Sequence, residues 1–314
     1  EEEAPSTSKV VVSEDQFMNF KVHNREKRKK MFLDYKKAKT KAKKALKKQK
    51  LREARALGND APPKEVPKTI DNMREIDVTR ITGDDDELEI ERKLDEMADY
   101  HSKSYEPKVL ITCVDKPNVK TVHMMRELRR VVPNSLAKIR TRLKIKKLVK
   151  KCNEKGFSDI ILINENQREP DGMVVIHLPA GPTAFYRISN FRSCKMLKRS
   201  FKSISSMRPE VILSNMTTKL GDRVSRMLGA LFHYDPQFKG RRVVTFHNQR
   251  DYIFFRHHIY EFKSEKKVAL RELGPRFTLR LLALQTGTFD TKFGDYEWKL
   301  NRHAMETSRR RFFL

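Results

Sequence analysis

Cysteine, glycine and tryptophan are scarce in this 314-residue chain, which has three, eleven and one of them. Cys113, Cys152 and Cys194 are odd in number and far apart, and no CxxC pair occurs. That pattern excludes a disulfide framework and a cysteine-based zinc site, and it fits a reducing compartment. No run approaches the roughly 18 apolar residues of a membrane span, and no signal sequence opens the chain. A soluble intracellular protein is the expectation. Walker, dinucleotide-binding and GxSxG signatures are also missing, which removes the commonest phosphate-binding and nucleophile-elbow chemistries.

Negative charge is the other shortage. Lys and Arg number 68 against 41 Asp and Glu, a formal net charge of +27. Self-repulsion of that size calls for a polyanionic partner, most simply a nucleic acid, or for extended basic arms. With 38% hydrophobic residues a core can form, but 35% charged residues keep it from spanning the whole chain.

Residues 1–20 are acidic and then mixed. Residues 21–58 carry 17 Lys or Arg against Glu26, Asp34 and Glu53. Their Ala, Lys, Leu and Arg content favours helix, yet the apolar positions are too sparse for a core-facing stripe. This is a basic arm, helical or disordered, suited to phosphate backbones and to a nuclear import signal. Gly58 ends the pattern, and Pro62-Pro63 through Pro67 reads as a linker. A mixed-charge helix is expected from Asp86 to Tyr100, with Asp84, Asp85 and Asp86 at its N-terminal dipole rather than at a metal.

From Pro107 the spacing becomes that of a packed α/β domain. Val109–Val114 and Ile160–Ile163 read as buried strands, Thr121–Val132 and Leu143–Asn153 as helices. Pro170-Asp171-Gly172 turns the chain into strands at 173–178 and 184–188. The second half repeats this order. Pro209-Glu-Val-Ile-Leu-Ser echoes Pro107-Lys-Val-Leu-Ile-Thr, and a helix over 218–232 follows. Asn248-Gln-Arg echoes Asn166-Gln-Arg, and Gly274-Pro echoes Gly181-Pro. The pattern predicts two pseudo-symmetric α/β lobes with mixed sheets, joined by a basic stretch at 190–208.

These echoes carry a family resemblance. Asn248-Gln-Arg-Asp-Tyr-Ile-Phe-Phe-Arg, Glu272-Leu-Gly-Pro-Arg-Phe-Thr-Leu-Arg-Leu and Gln285-Thr-Gly-Thr-Phe-Asp resemble the second half of a Brix domain. Pro182-Thr-Ala-Phe, Thr217-Thr-Lys-Leu-Gly and the tail Thr307-Ser-Arg-Arg-Arg-Phe-Phe-Leu support it, over residues 107–314. The resemblance implies lobes related to the anticodon-binding domain of class II aminoacyl-tRNA synthetases. It also implies a nuclear, nucleolar and non-catalytic role in maturing pre-ribosomal RNA of the large subunit, usually alongside one dedicated protein partner. The family's RNA-binding signature falls on about Val268 to Gln285.

Strand alternation places Arg276, Thr278 and Arg280 on one face, with Phe277, Leu279 and Leu281 on the other. One face can pack while the other offers guanidiniums to phosphates or unpaired bases. Arg241, Arg242, Arg250, Arg256, Lys266, Lys267, Arg271 and Gln285 extend that candidate surface. Lys144, Lys146 and Lys147, with neighbouring Arg140, Arg142, Lys150 and Lys151, form a second basic cluster interleaved with Leu143, Ile145, Leu148 and Val149. Lys195, Lys198, Arg199 and Lys202 add charge at the junction, and Arg309-Arg310-Arg311 either clamps RNA or anchors the tail.

Catalytic constellations are thin. His257 and His258 are adjacent in a strand and face opposite sides; His247 sits by a turn; Asp290, Asp295 and Glu297 make a weak metal cluster. The reading is therefore an RNA-binding scaffold, with no cofactor or metal. It comprises an arm at 1–58, linker and lead-in helix at 59–106, first lobe and junction at 107–208, second lobe at 209–290 and tail at 291–314. The alternatives are a protein-interaction module whose basic arms make only nonspecific RNA contacts, and a metal-dependent RNA-processing enzyme.

Overall fold

A computed structural model of the chain describes residues 24–57, 66–81, 83, 86–197, 204–265, 267–301, 305 and 310–314. The acidic N-terminal stretch, most of the linker, Asp84, Asp85, Lys198, Arg199, Lys202, Lys266 and Arg309 lie outside the described residues. The chain divides into two compact units, Glu1–Lys68 and Thr69–Leu314.

In the first unit the basic arm is one helix, α1 (Arg25–Leu57). Asn24 caps it, its Oδ1 accepting from the amides of Glu26 at 3.0 Å and Lys27 at 3.2 Å. Most of its side chains are exposed, as the sparse apolar positions require.

The second unit is built on one sheet. Its strands are β1 (Val109–Cys113), β2 (Ser135–Ala137), β3 (Asp159–Asn166), β4 (Glu169–His177), β5 (Thr183–Arg192), β6 (Glu210–Ser214), β7 (Arg242–Gln249), β8 (Tyr252–Ser264), β9 (Lys267–Glu272), β10 (Arg276–Gln285) and β11 (Tyr296–Lys299). The helices are α2 (Asp86–Leu94), α3 (Ala98–His101), α4 (Val119–Val131), α5 (Ile145–Glu154) and α6 (Lys219–Ala230). The strand order is β2-β1-β3-β4-β5-β10-β8-β7-β6, with β11 on β10 and β9 on β8.

The expected pseudo-symmetry runs outward from the central pair β5 and β10. In each half, an antiparallel neighbour of that pair is followed by a strand whose outer partner is parallel: β4, β3 and β1 on one side, β8, β7 and β6 on the other. A glycine with positive φ and a cis proline, Gly181-Pro182 and Gly274-Pro275, open β5 and β10 alike. The two mixed sheets are hydrogen-bonded into one. The Asn-Gln-Arg echo is one residue out of step, however. The turn residues with positive φ are Gln167 and Arg168 in the first half but Arg250 and Asp251 in the second.

One face of the sheet, the inner face, is covered by α4 and α6. Met124, Met125 and Leu128 of α4 and Val224, Met227 and Leu228 of α6 join Ile111, Ile163, Val175, Phe246 and Leu279 in a common core. Phe255 and Phe277 stack at 4.3 Å within it. The helical methionines are thus core residues, as their spacing predicts. In the first half the opposite, outer face is also covered: Val149 and Cys152 of α5 pack with Phe157 on Leu110, Ile160, Leu162, Val174 and Ile176.

The lead-in region is tied to the second half. Arg92 forks onto Asp222 at 3.0 and 2.7 Å, Arg226 reaches Asp95 at 3.2 Å, and the Tyr100 hydroxyl donates to the Phe232 carbonyl at 2.9 Å. The long helix expected over 86–100 is broken into α2 and α3 where Asp95 and Glu96 turn to meet Arg223. The tail is anchored rather than free. Asp251 Oδ1 accepts from the amides of Phe313 and Leu314 at 2.8 and 3.0 Å, and Thr218 Oγ1 donates to the Phe313 carbonyl at 2.7 Å. Leu314 is buried in the common core.

Candidate nucleic-acid interface

The outer face of the second half has no helix over it among the described residues. Cross-strand register identifies its side chains. His247 of β7, Phe254 of β8, Thr278 of β10 and Ser189 of β5 lie in one row, and Thr245 and Arg256 lie in the next. Arg280 and Arg187 are opposite one another across the central β5–β10 pair. The inner-facing partners of these residues, Phe246, Phe255, Phe277 and Leu279, are all in the core. Period-two alternation therefore puts aromatic and basic side chains on an open floor.

The arginines are held in place. The Arg280 guanidinium lies 5.4 Å from the centroid of the Tyr252 ring, and that of Arg256 lies 5.7 Å from the Phe254 ring. Arg256 Nη1 also donates to the Phe255 carbonyl at 2.8 Å. Burial, and then the charge of Arg276, hold its pKa below the ordinary arginine value. Arg276 Nε donates to Glu272 Oε1 at 2.7 Å, with a second contact through Nη2. Arg187 lies 3.5 Å from Asp171 and stays 57% exposed. His247 Nδ1 is 2.7 Å from the Ser214 hydroxyl. Tyr252 is 39% exposed, enough to receive a stacked ring. Rings and guanidinium planes at alternate positions on an open sheet are what unpaired bases and a phosphate backbone need.

Of the residues expected at the site, Arg276 and Arg280 share this floor, with Thr278 between them but only 3% exposed. Lys144, Lys146 and Lys147 are exposed on α5, on the same side of the sheet, where Ile145, Leu148 and Val149 dock the helix. Lys146 pairs with Asp290 at 2.7 Å. Arg250 is at the β7–β8 turn and pairs with Asp71 at 3.1 Å. Arg241 is exposed, in a left-handed conformation just before β7. Lys267 and Arg271 lie on β9, away from the floor, in a two-stranded ribbon with the end of β8.

Two expected residues are used inside the protein. Gln285 is fully buried, its Nε2 donating to the Asp290 carbonyl at 2.6 Å and its Oε1 accepting from the Asp290 amide at 3.3 Å. It closes the turn between β10 and β11, because a buried amide needs partners on both atoms. Arg242 is 3% exposed and donates to the carbonyls of Arg130 and Met207 at 3.0 and 2.7 Å. Both leave the exposed surface. Tyr252, Phe254 and Arg187 were outside the sequence-based set, although alternation along 252–258 carries the signal for the two rings.

The histidine and acid clusters also have local roles. His257 is fully buried and His258 half-buried, on opposite faces as adjacency in a strand requires. Glu297 pairs with Arg223 at 2.8 Å, and Asp290 with Lys146.

Comparison with known proteins places this geometry in a lineage. The Brix domain model matches residues 115–283. A probable ribosome production factor 1 of Drosophila melanogaster is 53% identical over 281 residues, covering 87% of this chain and 71% of that one. Ribosome production factor 1 of Saccharomyces cerevisiae is 34% identical over 301 residues, covering 93% and 97%. Among solved structures, a probable ribosomal biogenesis protein from Aeropyrum pernix K1 aligns with a TM-score of 0.42 and 10% identity, over 55% of this chain and 96% of that one. The chain belongs to the Brix-domain family.

Proposed function

We propose that this chain is a non-catalytic RNA-binding factor of ribosome assembly that holds pre-ribosomal RNA of the large subunit in the nucleolus. The observation that carries the reading is the uncovered outer face of the second half, with Arg187, Arg256 and Arg280 set among Tyr252 and Phe254. The names of the relatives, ribosome production factors, supply the ribosomal setting. The floor captures an unpaired RNA stretch, while α5 and the basic arm reach into neighbouring backbone. Neutralising six to ten phosphates makes affinity fall roughly 10³–10⁵-fold between about 50 and 200 mM salt.

The test is RNA binding at matched salt by the full chain and by Arg256→Ala/Arg280→Ala. We expect affinity for single-stranded precursor RNA to drop about tenfold or more with the fold intact. Unchanged affinity would move RNA to the arm and α5. If affinity drops as expected, ultraviolet crosslinking in cells should map peptides from 252–258 and 276–282 to clustered sites in large-subunit precursor RNA.

A second surface favours a protein partner as well. The β8–β9 ribbon exposes Phe262, Val268 and Leu270 on one face, and the aliphatic Val268 and Leu270 do not stack on bases. In this reading the second lobe, 209–290, carries the ribbon and, together with Arg187 of β5, the floor, and the dedicated partner occupies the ribbon.

A further inference from the structure

Arg242 is a buried cation with no anion beside it among the described residues. A guanidinium has five N–H donors. Nε donates to His257 Nε2 at 3.2 Å, Nη1 to the carbonyls of Ser205 and Met207 at 2.5 and 2.7 Å, and one Nη2 hydrogen to the Arg130 carbonyl at 3.0 Å. The fifth N–H has no partner among the described residues. None of the four acceptors is charged. His257 accepts through Nε2, and its Nδ1 is 2.8 Å from the Gly274 carbonyl, which is the neutral tautomer. Burial pulls Arg242 down to about 10. Buried charge is ordinarily paired, because neutral dipoles replace only part of its lost hydration.

Arg242 also lines a cavity of about 520 Å³ between the end of α4, β2 and residues 204–207, where its guanidinium already contacts the carbonyls of Arg130, Ser205 and Met207. Lys108, Arg129 and Arg130 also line it, with Ser205 and Ser206, and no Asp or Glu does. Lys108 Nζ is anchored to the Lys155 carbonyl at 3.1 Å and lies 4.7 Å above the Phe157 ring. The carbonyls at the C-terminal end of α4 would repel an anion if left open. Two of those there are engaged: the Ser135 hydroxyl donates to that of Val132 at 2.8 Å and Arg242 to that of Arg130 at 3.0 Å. Every formal charge facing the cavity is positive, and its size is in the range of small-ligand sites.

We propose that this cavity is a phosphate-binding site, with the remaining Nη2–H of Arg242 as its fixed donor and Lys108 and Arg129 as the flanking cations. The phosphate is either a backbone group of RNA or that of a small phosphorylated ligand. The site is separate from the open floor of the second half and does not depend on RNA binding there.

The test follows the Nε–H resonances of the arginines by ¹H–¹⁵N NMR on the full chain. Inorganic phosphate and a single-stranded oligouridylate are titrated at matched ionic strength, with chloride as the control. The expected result is a saturable shift of Arg242 Nε–H by at least one of the two and none by chloride. Lys108→Ala and Arg129→Ala should each weaken that binding about tenfold, the loss of one charge-assisted contact. Both residues sit at the rim, so these variants keep the Arg242 clamp. Saturation by oligouridylate alone assigns the site to RNA backbone. Saturation by inorganic phosphate with no gain from the oligonucleotide assigns it to a small ligand. An Arg242 resonance that neither probe moves overturns the proposal, and so does a shift that both variants leave unchanged. The variant Arg256→Ala/Arg280→Ala should retain the response to inorganic phosphate whether or not it still binds RNA on the floor, which separates the two claims.

Discussion

The two halves of the sheet differ most on the outer face. In the first half, residues 132–158 between α4 and β3 are enough to form β2 and then α5, which folds over the outer face and buries Val149 and Cys152. In the second half, residues 231–241 between α6 and β7 form only a short 3-10 turn, Phe238–Gly240. The outer strand residues of the first half are accordingly Ile160, Leu162, Val174 and Ile176, and those of the second are Thr245, Phe254, Arg256 and Arg280. The repeated topology keeps its core on both sides of the dyad, and among the described residues no helix covers the outer face on one side, which leaves a basic surface open.

Helix N-termini are completed differently as well. At α4 a side chain of the same half does it: Glu165 Oε2 accepts from the Asn118 amide at 2.8 Å and the Thr121 hydroxyl at 2.6 Å. At α6 the cap is Thr218, whose Oγ1 accepts from the Gly221 amide at 2.9 Å and donates to the Phe313 carbonyl of the anchored tail at 2.7 Å. The second half thus depends on a segment distant in sequence.

The largest test of the comparison is whether the halves fold as one. Phe277→Ala removes one ring of the stacked pair at the shared core and should cost about 3–5 kcal/mol. Because β5 and β10 are hydrogen-bonded across the dyad, we expect one urea transition by both near-ultraviolet circular dichroism and α5 helix signal. Two separated transitions would show that the first half stands alone.

Next in size is a pH contrast between buried histidines. In the second half, burial pulls His257 from 6.5 to about 4. The unfolded chain then takes up the proton first as pH falls, so stability is complete above pH 6.5 and declines between 6.5 and about 4, by on the order of 3 kcal/mol. In the first half, burial opposes charge on His177, but its hydrogen bond to Asp159 at 2.7 Å and that residue's charge outweigh it, raising the pKa. That contribution is complete below the ordinary histidine value of about 6.5 and is lost as pH rises through the raised folded value. Stability measured against pH should lose its acid limb in His257→Gln and its alkaline limb in His177→Gln.

Smaller effects separate function from stability. Arg280→Ala on the open floor should change unfolding free energy by about 0.5 kcal/mol or less while weakening RNA binding, as expected where no helix packs on the side chain. A larger loss would mean that the floor is structural. Lys146→Ala breaks an ion pair whose lysine is 63% exposed, and a shift within about 0.5 kcal/mol in denaturant unfolding is expected.

Much of the scaffold was legible without coordinates. Short continuous apolar runs located β1 and β3, alternation located β10, amphipathic spacing located α4, α5 and α6, and the repeat announced the dyad. The face of Arg276 and Arg280 followed from alternation alone. Alternation could not show that Gln285 turns inward, and although it sets Arg242 in line with Val244 and Phe246, residue type argues for exposure; only the neighbouring carbonyls of residues 130, 207 and 290 make burial tolerable. Nor could it detect the one-residue slip of the Asn-Gln-Arg echo, because the offset appears only when the turn dihedrals are compared.

By itself the sequence determined the local elements, the basic excess, the internal duplication and the family, all of which are properties of composition and short-range pattern. The tertiary structure alone decided that two mixed sheets join into one, that the tail docks on Thr218 at the start of α6, and that among the described residues a helix covers the outer face of only one half. Those depend on which elements meet across long separations in the chain, and the hydrophobic burial that selects such meetings has no fixed spacing in the sequence.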